Sequence, residues 1–329
     1  VITEVGVYVA LDGDDVLAGR LYSHRRRGTE SASFTYDARY LSRPGAYELD
    51  PALPMVGGSL QTPAGTSMFG AFGDSSPDRW GRTLIKRAEQ LRAKAAGTTP
   101  RSMGEFDVLL GVRADLRQGA LRFAYDDDGE FLANDATGVP ALTDLPALLD
   151  IAARAAETTA DYEDLNRLVR AGSSLGGARP KAHVRDADGR LAIAKFPSAN
   201  SDTWDVMAWE KTALDLARNA GVVVPDSQLI RVGERKVLTV DRFDRRAGQR
   251  IGYVSAMTML EARDGDQRSY LEFVDVIERH SPSTTTDLRQ LWRRIAFSVL
   301  ISNTDDHLRN PRIPAPQLQR GGPFPLHST

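Results

Sequence analysis

The chain contains no cysteine, which excludes disulfide scaffolds, thiolate nucleophiles and cysteine-ligated zinc or iron–sulfur centres and fits a cytosolic compartment. Long apolar runs are missing as well. No stretch approaches the roughly 18 uninterrupted apolar residues of a bilayer-crossing helix, and no basic stretch leads into an apolar core at the amino terminus. The first residue is Val; processing, trimming and unusual initiation all fit it. A charge excess is lacking too: 42 basic residues face 44 acidic ones for a formal charge of −2. That balance argues against wholesale wrapping by nucleic acid and against a polybasic membrane surface, so neither direct specific nucleic-acid binding nor membrane attachment is expected.

What is present suffices for a water-soluble fold. With 329 residues, 41% hydrophobic and 26% charged, the chain can build one large domain or two modest ones without a disulfide or metal. Local basic clusters, Arg25-Arg26-Arg27 and Arg242/Arg245/Arg246, read either as phosphate contacts or as solvated faces, the latter being the commoner use of charge.

Periodicity divides the chain in two. Val5 to Leu11 alternates loosely, Asp12-Gly13-Asp14-Asp15 supplies a turn, and Val16 to Tyr22 resumes, which predicts a β-hairpin. Ser31 to Tyr36 reads as a strand, and Pro77 to Ala96 as a helix burying Trp80, Leu84, Ile85 and Ala88. A short helix over Met103 to Leu110 and a strand over Gly119 to Ala124 complete a small α+β unit, with a soft boundary near 125–140. Helix returns over Leu145 to Ala156. A strand over Leu191 to Phe196, a helix over Asp205 to Ala220, and paired strands over Gln228 to Val232 and Lys236 to Val240 then form a β-rich lobe. Helices over Ala256 to Ala262, Tyr270 to His280 and Leu288 to Leu300 follow. The last is expected to be capped within Thr284 to Asp287 and to bury Leu291, Ile295, Val299 and Trp292.

Three segments carry chemistry. In Ala171-Gly-Ser-Ser-Leu-Gly-Gly-Ala-Arg-Pro-Lys181, glycines bring backbone N–H groups and a lysine close together, as phosphate binding requires, although an ordinary turn uses the same residues and Lys181 alone reads as a surface lysine. Lys195 interrupts the apolar Leu191 to Phe196, where a buried ammonium needs a partner. In kinases a strand lysine holds α- and β-phosphates and is held by a helix glutamate, here Glu210; the competing reading puts Lys195 on an edge strand facing water. Ser302-Asn-Thr-Asp-Asp-His-Leu-Arg-Asn310 follows a helix directly. An Asp with an Asn five residues on repeats the kinase relation between the carboxylate that orients the substrate hydroxyl and a magnesium ligand, so Asp305 and Asn310 take those places. Zinc is a poor fit to adjacent Asp306 and His307, and His307 reads as a structural brace. Val240-Asp-Arg-Phe-Asp-Arg245 suits a connector between lobes, or equally a surface ion network.

Together, Ser174 to Lys181, Lys195, Val240 to Arg245 and Asn303 to Asn310 resemble the HipA family of serine/threonine kinase toxins from bacterial type II toxin–antitoxin systems. Val7-Tyr-Val9, Gly19-Arg-Leu21 and Ser76-Pro-Asp-Arg-Trp-Gly81 extend the resemblance through about the first 310 residues. It implies an α+β protein: a small amino-terminal domain (1–130), a bilobal protein-kinase-like core (140–310) with an incomplete helical lobe, and an atypical tail (311–329). By the resemblance, Asp305 is the catalytic base and Asn310 a magnesium ligand. Gly176, Gly177, Lys181, Lys195, Glu210, Asp241 and Phe243 bind nucleotide, and Ser174 is a regulatory autophosphorylation site. ATP and Mg2+ are the implied cofactors. A DNA-binding HipB-like antitoxin and a protein substrate, an aminoacyl-tRNA synthetase in several relatives, are the implied partners.

Beyond Asp306 there is neither Asp nor Glu, whereas kinases place a second magnesium-binding Asp downstream of the catalytic Asn. The Pro/Gly-rich tail therefore reads as an altered, truncated or frameshifted end, with a noncatalytic ATP-binding or antitoxin-binding pseudokinase as the alternative function. A generic α+β interaction protein is the third reading, and it leaves the order Lys195, Asp305, Asn310 unexplained.

Overall fold

The computed structural model describes residues 4–125, 130–132, 138–172, 177, 179–198, 202–281 and 283–314. Ser174, Gly176 and the tail from 315 lie outside the described residues.

The amino-terminal part is built on a sheet. β1 (Glu4–Leu11) and β2 (Asp14–Arg26) form the expected hairpin, closed by Asp12 and Gly13 at positive φ, the geometry that suits an Asp-Gly turn to the twist of the strands. β3 (Thr29–Tyr36) follows, then α1 (Ala38–Leu41), β4 (Ser59–Gln61), α2 (Gly70–Asp74), α3 (Arg79–Ala95), α4 (Glu105–Leu110) and β5 (Leu121–Ala124). Among the described residues these strands make an antiparallel sheet in the order β4-β3-β2-β1-β5. Val5, Val7 and Val9 of β1 are fully buried with Leu21, Phe34, Phe72 and Phe123.

The second part begins with α5 (Leu145–Ala156) and α6 (Tyr162–Gly172), then β6 (Lys181–Arg185), β7 (Leu191–Lys195), α7 (Val206–Asn219), β8 (Ser227–Val232) and β9 (Arg235–Asp241). Its four strands pair antiparallel in the order β6-β7-β9-β8. β7 is flanked on both sides, so Lys195 does not sit on an edge strand. The apolar side of α3 joins this layer: Trp80, Leu84 and Ala88 pack in one cluster with Leu148, Leu168, Ala182 and Ala194. This packing joins α3 to α5, α6 and the second sheet. α6 buries Leu165 and Leu168 at helical spacing, so its period is present in the sequence, whereas β6 starts at the end of the Gly-rich segment, which interrupts its pattern.

β10 (Arg245–Arg246), β11 (Gln249–Arg250), β12 (Tyr253–Ser255), α8 (Ala256–Met259), α9 (Tyr270–His280), α10 (Thr284–Leu300) and β13 (Arg312–Pro314) complete the chain. α8 is shorter than its sequence suggests. α10 starts earlier: Ser283 is its N-cap, and Asp287 lies in its first turn, accepting from the Ser281 hydroxyl at 2.5 Å. Leu291 is buried in this helix, but Trp292 and Val299 are 70% and 73% exposed. The expected stripe is thus too wide. On α10, Leu291 and Ile295 pack in one apolar cluster with Phe273, Val276 and Ile277 of α9, and Gln290 accepts from the Val223 amide at 3.1 Å.

Candidate active site

A cavity of about 700 Å3 opens between the β6-β7-β9-β8 layer, the start of α3 and the loop after α10. Strand register supplies its basic side. Lys181 and Lys195 are directly opposed on β6 and β7, and opposed residues of an antiparallel pair share a face, so both ammonium groups serve the same cavity. Like charges so placed repel unless an anion lies between or beside them. Glu210 on α7 supplies such an anion, its Oε1 accepting from Lys195 Nζ at 2.5 Å. Lys181 is 6% exposed and not a surface lysine. Burial, reinforced by Lys195, pulls its pKa down to about 8, and an anion bound beside it would favour the charged form.

The opposite side is the loop after α10, shaped by its own side chains. The Asp305 amide donates to Asn303 Oδ1 at 3.1 Å, and Asn310 Nδ2 donates to the Asp305 carbonyl at 2.8 Å. Backbone bonds from Met257 to Leu308 and from Ala256 to Pro311 tie the loop to α8. Asp306 is occupied: Arg294 pairs with it and the Tyr270 hydroxyl donates to it at 2.6 Å. Burial, with that bond, raises the Tyr270 pKa to about 12. Asp305 is exposed, and its carboxylate has no hydrogen-bond or ion-pair partner among the described residues. A loop of this kind holds one carboxylate as an anchor and presents its neighbour to the cleft.

Gly177, Lys181, Lys195, Glu210, Asp305 and Asn310 all line the cavity. Asp241 and Phe243 do not. The Asp241 carboxylate lies 3.9 Å from Arg190, and Phe243 packs edge-on against Tyr253 at 5.1 Å, whose ring is itself part of the lining. Both belong to a connector that meets the cleft through a neighbour.

The reading of Val240 to Arg245 as a surface ion network is corrected in one respect, since the network is buried. Asp244 is fully buried between Arg242 and Arg245, with Arg242 on both of its oxygens and Arg245 Nη1 at 2.8 Å. Burial alone would raise the Asp244 pKa, but the two arginines hold it well below the usual carboxylate range. The guanidinium groups also bind the loop before β5: Arg242 donates to the Leu116 carbonyl at 2.6 Å, Arg245 to that of Arg117 at 2.7 Å, and Asp244 accepts from the Gly119 amide at 2.6 Å. His183, fully buried, lies 2.7 Å from Arg242 through Nε2 and 3.0 Å from the Ala171 carbonyl through Nδ1. Arg242 can only donate, so Nε2 accepts, the proton sits on Nδ1, and the ring is neutral.

Sequence reasoning missed the contribution of residues 73–78 and of Arg294 and Arg309 to the lining. The available signal was Ser76-Pro-Asp-Arg-Trp-Gly81, which has no spacing that announces a chemistry.

The lining suits a phosphate-bearing ligand: two ammonium groups share one face, and Ile193, Leu214, Ala217 and Val222 supply an apolar side. For magnesium the fit is partial. Asn310 and Asp305 offer oxygens, but no group of three His, Asp or Glu side chains able to hold a metal occurs among the described residues.

A strand-rich lobe and a helical segment facing each other across such a cleft define a kinase-like α+β fold. Residues 173–315 match the HipA-like C-terminal domain family. In structure it is similar to HipA of Shewanella oneidensis MR-1, solved with HipB and its operator DNA: TM-score 0.60 at 16% identity, covering 99% of this chain and 74% of that one. A second solved structure, the Helicobacter pylori proinflammatory kinase CtkA, aligns over 43% of this chain and 49% of its own at 17% identity and a TM-score of 0.35. No curated protein matches the sequence.

Proposed function

We propose that the chain is a HipA-type serine/threonine protein kinase that transfers the γ-phosphoryl group of ATP to a protein hydroxyl. The observation that carries this reading is the Lys195–Glu210 pair sharing one cavity with Asp305 and Asn310. In this reading Lys195 and Lys181 bind the α- and β-phosphates, with Glu210 fixing the position of Lys195. Asp305, exposed and unpaired among the described residues, accepts the hydrogen bond of the substrate hydroxyl and aligns its oxygen with the γ-phosphorus. Asn310, whose Nδ2 is used on the Asp305 carbonyl, turns its Oδ1 to magnesium. The metal, when bound, neutralises phosphate charge. Asp241 and Phe243 belong to the connector beside adenine. Gly176 and Ser174 complete the Gly-rich segment by sequence position, Ser174 being the residue for inhibitory autophosphorylation.

The domain limits proposed are 1–130 and 140–310. A HipB-like antitoxin is the proposed partner, on the likeness to a HipA solved with HipB, and the compartment proposed is the cytoplasm. In support of the latter, no described helix is long and apolar enough to cross a membrane.

Asp305→Asn should lower ATP- and Mg-dependent phosphorylation about a thousandfold, the scale of a lost acid–base group, while leaving ATP affinity within about threefold. Mass spectrometry of the incubated protein reads both total transfer and phosphate on Ser174. A pseudokinase is the second reading, favoured by the anchoring of Asp306 to Arg294 and Tyr270, which keeps that carboxylate from serving a metal. ATP binding with no transfer by the unaltered chain would establish it.

A further inference from the structure

We propose that Asp78 and Trp80, at the start of α3 and outside the kinase-like core, clasp the backbone at Gly177 and Lys181 and so position the phosphate end of the nucleotide site. The proposal rests on the nucleotide reading above and deepens it.

Three hydrogen bonds converge on this short interval from one turn of helix. The Gly177 amide donates to Asp78 Oδ2 at 2.9 Å, the Trp80 amide donates to the Gly177 carbonyl at 3.1 Å, and the Trp80 indole donates to the Lys181 carbonyl at 3.1 Å. Both polar groups of the Gly177 peptide backbone are thereby taken by α3. Gly177 has φ +80°, a conformation that L side chains rarely adopt, and a Cβ there would lie 2.7 Å from Lys181 Nζ. The ammonium is therefore lodged against the glycine that the clasp holds. From the other side, α6 abuts the same strand: a Cβ on Gly172 would approach the Lys181 carbonyl to 2.6 Å. Lys181 thus starts β6 with its backbone fixed by two helices.

Asp78 also senses the charge of the opposite loop. Burial tends to raise its pKa, yet the Gly177 and Arg79 amides and the charges of Arg309 and His307 hold it below the ordinary value. Arg309 and His307 belong to the loop that carries Asp305. One carboxylate from the amino-terminal region therefore bonds the Gly-rich segment and lies within the field of the opposite loop's positive charge. Because its oxygen consumes the Gly177 N–H, Asp78 does not leave that group for phosphate. It holds the lysine and the backbone in place instead.

The two ways a carboxylate can act here predict opposite results. As a positioning acceptor, its work is done equally by the amide oxygen of Asn. As a negative charge competing with phosphate, it would be improved upon by Asn or Ala. The full-length protein and its Asp78→Ala, Asp78→Asn and Trp80→Phe variants would be compared by hydrogen exchange of the peptide spanning 177–181 without nucleotide, and by ATP affinity. Loss of a hydrogen bond to a charged group predicts about tenfold faster exchange and about tenfold weaker ATP binding in Asp78→Ala, with a raised KM and little change in kcat. Asp78→Asn should stay close to the unaltered protein. Trp80→Phe, which removes the indole donor alone, should fall between them and serves if Asp78→Ala does not fold.

Unchanged exchange in Asp78→Ala, or tighter ATP binding in Asp78→Ala or Asp78→Asn, overturns the clasp. Failure of the unaltered protein to bind ATP, with exchange still accelerated in Asp78→Ala, would instead sink the nucleotide reading and leave the backbone clasp standing.

Discussion

The cleft and the arginine cluster around Asp244 are built from the same kinds of residue and use them differently. At Asp244 every charge is turned inward: Arg242 and Arg245 flank one fully buried carboxylate, and the surplus positive charge is absorbed by carbonyl oxygens of residues 115–119. Arg250 is drawn into the same loop, donating to the Ala114 carbonyl, and burial pulls its pKa down to about 8. In the cleft the balance is left open. Lys195 has Glu210, while Asp305 stands exposed and without a partner among the described residues. A closed set of charges serves the joint between the two parts of the molecule. An open set has affinity left for something that arrives.

That contrast can be broken by substitution, and the largest effect belongs to the closed set. Asp244→Ala strands two buried guanidinium groups and should cost about 3–5 kcal/mol in denaturant unfolding. A loss below about 1 kcal/mol would mean that the carbonyl oxygens suffice and the pair is incidental. Lys195→Met should do the reverse, lowering ATP affinity at least about tenfold through the loss of a charge-assisted bond while shifting stability by less than about 1 kcal/mol. Equal losses of stability in both variants would erase the distinction.

The mildest effect is one of pH. The folded pKa of Lys181, about 8, lies below its ordinary 10.5, so the fold disfavours the charged form. The stability penalty is complete below about pH 8 and is relieved as pH rises toward 10.5, where the unfolded chain binds more protons than the folded one. Nucleotide binding should therefore take up protons near pH 8 and weaken by several-fold between pH 8 and 9, because the site must first be protonated. Calorimetry in buffers of different ionisation enthalpy measures the uptake. A flat profile that persists in Lys181→Met would remove Lys181 from the phosphate site.

Much of the local structure was legible because it rests on period and turn chemistry. The β1–β2 hairpin follows from alternation around Asp12-Gly13, and α3, α5, α7 and α9 follow from apolar residues at helical spacing. The catalytic-type loop was legible from Asp305 and Asn310 because a loop that holds its own shape encodes its partners nearby in sequence: Asn303, Asp305 and Asn310 bond among themselves. The exposed Trp292 and Val299 were misread for the converse reason. An apolar stripe states that a face is apolar, while what covers it is a property of the neighbours.

By itself the sequence determined the β1–β2 hairpin, most of the longer helices, the kinase-like order of Lys195, Asp305 and Asn310, and the absence of Asp and Glu between Asp306 and Thr329. These depend on residue type and spacing along the chain. Only the tertiary structure decided that Lys195 lies on an interior strand opposite a buried Lys181, that the arginines after Val240 are buried around Asp244, and that Asp78 and Trp80 reach nearly a hundred residues forward to Gly177 and Lys181. Charge and hydrogen bonding act through space, so the same Asp-Arg pattern can be a solvated face or a sealed joint, and the packing of β6, β9 and α3 selects between them.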